Sequence, residues 1–86
     1  MSVVLRSRQE LEDIWRERLS EALRRYQVAR LQTTTALVRS RDIPQPDGNF
    51  AFRKAQWVET MALAEYKRIL GIFNDLVIDG KVPPGA

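Results

Sequence analysis

The residues of this chain that could do chemistry are few. Its 86 residues include no histidine and no cysteine, which excludes histidine acid–base chemistry, the usual zinc sites and any disulfide framework. The carboxylates come next. Glu65 sits between Met61 and Ile69, inside what reads as the apolar arc of a helix. A buried carboxylate is costly unless it is paired, so Glu65 marks either a functional site or an internal ion pair. Arg25, Arg30 or the Tyr26 hydroxyl would serve as the partner, and the pair is the simpler reading. Glu59 and Glu65 cannot form a di-iron site, because the E-x-x-H partners are missing. No acid–base pair, phosphate loop or metal set emerges. The expectation is therefore a non-enzyme with no catalytic residue, no cofactor and no metal.

Basic residues form the other candidate group. Arg24, Arg25, Arg30, Arg39, Arg41, Arg53 and Lys54 fall in the middle of the chain, where only Asp42 and Asp47 oppose them. Arg39, Arg41, Arg53 and Lys54 could contact phosphates, with Phe50 and Phe52 stacking on bases. The plainer alternative gives Arg39 and Arg41 to a helix C-terminus and uses both phenylalanines to close the end of a bundle. Tyr26, Tyr66, Trp15 and Trp57 are spaced as core and are assigned no ligand.

Two long helices must position these groups. Ala51, Ala55, Val58, Ala62, Tyr66, Ile69, Phe73 and Leu76 recur at intervals of three or four, the mark of one helical face. Trp57, Met61 and Ile72 widen that face on one side, and Phe52, Leu63, Leu70 and Val77 widen it on the other. The resulting arc is far broader than the ~100° stripe of a surface helix. Leu11, Trp15, Leu19, Ala22, Tyr26, Ala29, Thr33 and Leu37 give a similar stripe earlier in the chain. In both stripes an eleven-residue interval recurs, which predicts nearly straight helices. Ser7-Arg8-Gln9-Glu10 has capping-box form, and Gly80 is placed to end the later helix. Ile43-Pro44-Gln45-Pro46-Asp47-Gly48 breaks the chain between them, with Asp47 or Asn49 as the expected cap.

The prediction is all-α: one helical-hairpin domain over residues 1–86. Its parts are helix 1 at about 8–41, a turn at 42–49, helix 2 at about 50–79 and a short tail at 80–86. Folding about the turn sets Trp15 against Leu76, Ala29 against Ala62 and Thr33 against Val58, with bulky residues at the terminal end and an alanine waist in the middle. The Thr33-Thr34-Thr35 run is a weak spot in helix propensity, and Gly71 lies on the back of helix 2.

A hairpin buries only one stripe of each helix. Helix 1 carries a second apolar line, Val28, Leu31 and Val38, and helix 2 has Trp57, Met61, Leu63, Leu70 and Ile72 to spare. These eight residues are the predicted partner interface. The expected partner is a second copy, giving a homodimeric antiparallel four-helix bundle, or else a larger protein complex. The composition suits a cytoplasmic protein, with no signal peptide and no stretch long enough to span a membrane.

Such an architecture resembles that of plasmid-type RNA-binding hairpin dimers, with no residue motif in common. It lacks the Trp-x-Gly turn of secreted WXG-type hairpins, having Pro46-Asp47-Gly48-Asn49-Phe50 there instead. Resemblance of fold alone is a weak warrant for function. The leading expectation is a non-enzymatic protein acting through helix–helix contact, and the alternative is a small RNA- or DNA-binding regulator using the basic turn end.

Overall fold

The computed structural model describes residues 7–42 and 47–83. They form two helices and no strand: α1, Arg8–Ser40, and α2, Asp47–Asp79, each of 33 residues. At 1.5 Å per residue each helix is about 50 Å long. The Thr33 hydroxyl donates to the Ala55 carbonyl at 3.1 Å, and the Arg8 guanidinium reaches the carbonyls of Leu76 and Val77. Bonds at both ends of the pair therefore fix it as an antiparallel hairpin.

Each terminus has a local cause. At the start of α1 the Ser7 side chain accepts a bond from the Glu10 amide at 3.1 Å, the first half of the capping box. Among the described residues Glu10 makes no return bond. At the end of α2 Gly80 takes φ 69, and its amide donates to the Leu76 carbonyl. A left-handed residue is what that closure requires, and glycine adopts it without a Cβ penalty. Pro83, beyond it, is buried.

Two expectations need correction. First, α2 begins at Asp47 rather than near Phe50, so neither Asp47 nor Asn49 stands outside the helix as its cap. The first helical amides have no intrahelical acceptor in any case, so an Asp-Gly pair can occupy the first turn at little cost. The break at Ile43-Pro44-Gln45-Pro46 and the second tail proline, Pro84, lie outside the described residues. Second, Thr33 reaches Ala55, one helical turn from the predicted Val58. The threonine run does not interrupt α1, since Thr33, Thr34 and Thr35 each donate to the carbonyl four residues back.

Burial is uneven along the hairpin. Leu11, Trp15, Ala22, Ile69 and Leu76 form the buried cluster, with Ile14, Leu19, Tyr66, Ile72 and Phe73 packed against it. Ala29 is also buried. Between Ala29 and Ile69 no described residue is buried, and Leu37, Ala51 and Val58 of the predicted stripes stand exposed. Around Trp15 the flanking side chains are large enough to roof the contact. Near the turn Gln32, Thr35, Ala36 and Ala51 line the smaller groove, while the large Leu31, Val38 and Trp57 stand exposed instead of covering the seam. The radius of gyration is 18.3 Å, against about 12 Å for a compact domain of this length. The hairpin is a slab one layer thick.

Candidate functional site

The hairpin presents two broad faces, separable by wheel position at about 100° per residue. On one face α1 contributes Arg18, Glu21, Arg25 and Arg39, and α2 contributes Lys54, Met61, Glu65 and Arg68. A groove of about 850 Å³ runs along the terminal half of this face, floored by Trp15, Ala22 and Ile69 and rimmed by Arg18, Glu21, Arg25, Glu65 and Arg68. A smaller one of about 410 Å³ lies near the turn, between Leu31, Ala36, Arg39 and Ala51.

Most charges of the larger groove are paired within it. Glu21 holds both Arg24 and Arg25. Arg18 lies over the Trp15 ring, 4.5 Å from its centroid. Glu65 is not buried against helix 1, a correction to the expected pairing with Arg25, Arg30 or Tyr26. It forms a two-pronged bond with Arg68, one turn along its own helix, at 3.0 and 2.6 Å. The reason is position: Glu65 stands at the rim of the interface, where the nearest arginine in reach is at i+3. The hydrogen bond from Arg68 holds the Glu65 carboxyl below its usual range; partial desolvation opposes this, and the positive charges of Arg68 and Arg25 reinforce it. Glu65 raises the pKa of Arg68 in turn. A carboxylate so stabilised in its ionised form is a poor proton donor near neutral pH. Among the described residues no group of three potential metal ligands comes together.

The opposite face is apolar along its length. Leu19, Leu23, Tyr26 and Leu37 lie there on α1, and Phe52, Leu63, Tyr66, Leu70, Phe73 and Val77 lie there on α2. Arg16, stacked 5.7 Å from the Phe73 centroid, and Arg8, bonded to the Val77 carbonyl at 2.6 Å, bridge the helices on this side. Glu12, Arg30 and Glu59 are its remaining charged residues. Leu23, Leu63 and Leu70 are each part-exposed and lie outside the buried cluster.

The eight predicted interface residues therefore do not share one surface. Leu63 and Leu70 belong to the apolar face, and Trp57 and Met61, 64% and 53% exposed, to the charged one. Ile72 packs against the core. Val28, Leu31 and Val38 are exposed on α1, with Leu31 lining the smaller groove. Sequence reasoning missed Leu23, whose signal was its i, i+4 and i+3 spacing to Leu19 and Tyr26. It also missed Arg8, a cation placed level with the C-terminal carbonyls of the other helix.

At the turn end Arg39, Arg41, Arg53 and Lys54 are all exposed, beside Phe50 at 72% exposure. None of the four takes part in an ion pair among the described residues. No helix there or elsewhere among the described residues is long and apolar enough to cross a membrane.

No protein-family model matches this chain, and neither the curated proteins nor the solved structures contain a match to it.

Proposed function

We propose that this protein is a non-enzymatic helical hairpin that works by helix–helix contact and associates with itself as a four-helix bundle. One observation carries the reading. Between Ala29 and Ile69 no described side chain is buried, and on one broad face Leu37 and Val77 are more than a third exposed while Leu23, Leu63 and Leu70 lie outside the buried cluster. Exposed apolar surface on this scale marks an interaction site on a soluble chain, and the commonest closed assembly is a two-fold dimer. The pairing of Glu21 and Glu65 with arginines in the groove supports a binding role over catalysis. Sedimentation equilibrium tests this: the 10.0 kDa chain should run as a dimer at micromolar concentration, and a folded monomer there would reject the reading.

The exposure of Phe50 near four cations that form no ion pair among the described residues favours a second reading, a small regulator that binds RNA or DNA through its turn end. It requires retention on RNA that falls steeply with salt and that weakens when Arg39, Arg41, Arg53 and Lys54 are replaced by glutamine. Retention unaffected by those changes would remove it.

A further inference from the structure

The partner of the apolar face, we infer, is a second copy of this chain, turned end for end, with Leu23 and Leu63 of each copy set at the two-fold axis. The inference rests on the self-association proposed above and adds the face and the orientation.

Composition selects the face. On the charged face Arg18, Glu21, Arg25, Glu65 and Arg68 would have to be desolvated, and burying ion pairs returns little for its cost. On the other face Leu19, Leu23, Tyr26, Leu63, Leu70 and Val77 meet a partner with five charged residues, Arg8, Glu12, Arg16, Arg30 and Glu59, among them, and Arg8 and Glu12 are already paired with each other. Leu23, Leu63 and Leu70 stand outside the chain's own buried cluster, so they are free to pack against another chain.

Charge selects the orientation. The turn half, residues 24–64 by the Thr33–Ala55 pairing, holds seven basic residues against Asp42, Asp47 and Glu59. The described remainder holds eight acids, Glu10, Glu12, Asp13, Glu17, Glu21, Glu65, Asp75 and Asp79, against Arg8, Arg16, Arg18, Lys67, Arg68 and Lys81. Copies with their turns together stack two positive ends. Copies reversed place each positive end beside a negative one, and such whole-end complementarity decides between otherwise similar packings. Symmetry then sets the register. Leu23 and Leu63 lie within a residue of the midpoints of α1 and α2, so reversal about them overlaps both helices along their full length. Each helix packs on its own counterpart, and the contact is isologous.

The chain contains no cysteine, so a single Asp42→Cys change gives one spin label per copy without disturbing either face. Electron–electron distance measurement on the full-length dimer should return about 50 Å, one helix length. Leu63→Lys and Leu23→Lys should each weaken the dimer by at least about tenfold, whereas Trp57→Lys, on the charged face, should leave its dissociation constant within about twofold. A dimer with labels closer than about 25 Å overturns the orientation while leaving self-association intact. A dimer broken by Trp57→Lys and tolerant of Leu63→Lys overturns the face. A monomer under all conditions defeats the self-association reading itself, and this inference with it. Should either leucine variant lose its helical circular dichroism, the label distance, which needs neither change, still decides.

Discussion

The terminal and turn halves of this hairpin use the same backbone geometry and bury very different amounts. In the terminal half Leu76, 1% exposed, and Trp15, at 7%, are sealed by Leu19, Tyr66 and Phe73, and Arg8 ties the start of α1 to the last carbonyls of α2. In the turn half the helices remain paired, and Thr33 bonds across to Ala55, yet Leu37 and Val58 are more than a third exposed. The difference is in where the large side chains lie: in the turn half Leu31, Val38, Phe50 and Trp57 stand exposed rather than over the seam. Two helices have no third element to roof their seam, so a contact is buried only where its own flanking residues are bulky. The terminal half supplies its own roof, and the turn half does not.

The largest test of this contrast is truncation in each half. Leu76→Ala should cost about 2–5 kcal/mol of stability, while Val58→Ala should cost well under half as much in the monomer, measured by urea denaturation in dilute solution. Equal losses would erase the distinction between the halves. Next comes their boundary. Ala29 is 3% exposed and Ala62 is half-buried, so Ala29→Leu should overpack the seam at about 1–3 kcal/mol, and Ala62→Leu should cost less. A melting temperature unmoved by Ala29→Leu would show that the seam has already opened at that level.

A smaller effect is expected within the turn half itself. Thr33→Val keeps the shape and removes the bond to Ala55, for a loss of about 0.5–1.5 kcal/mol. If stability is unchanged, that cross-helix bond adds nothing.

The smallest effect concerns pH. Because the folded Glu65 carboxyl is held below its usual value, its contribution is present above about pH 4.3 and fades as the pH falls below it. The pair is solvent-exposed, so Glu65→Gln should barely change the acid unfolding curve. A large shift toward acid stability in that variant would give Glu65 a structural weight that its exposed setting denies.

The two helices, the Gly80 stop and the Ser7 cap were legible because each depends on residues a turn or less apart. The spacing of Leu11, Trp15, Ala22 and Ala29 named the buried line of α1. The widening of helix 2 by Trp57 on one side and Leu63 on the other was also legible, but which of those sides continues onto α1 was not. That depends on how the helices are rolled against each other, which only the cross-helix contacts of Arg8, Arg16 and Thr33 settle. Glu65 misled for a related reason. Its position in the apolar arc reports an angle, whereas its burial depends on how much of that arc one neighbour covers. The turn residues' exposure had only a faint signal: Leu37 and Val58 carry the same pattern as their buried counterparts, and just the short or polar Gln32, Thr35 and Ala36 nearby differ.

The central claim is that the turn half is completed by another chain, and amide hydrogen exchange read peptide by peptide at two concentrations tests it most directly. At submicromolar concentration, amides from Phe50 to Met61 should exchange far faster than those from Ile69 to Leu76, because little apolar surface protects them. At a concentration that saturates association, protection of residues 50–61 should rise at least tenfold, while that of 69–76 rises by less. Protection of the turn half that stays the same across that range would contradict the account.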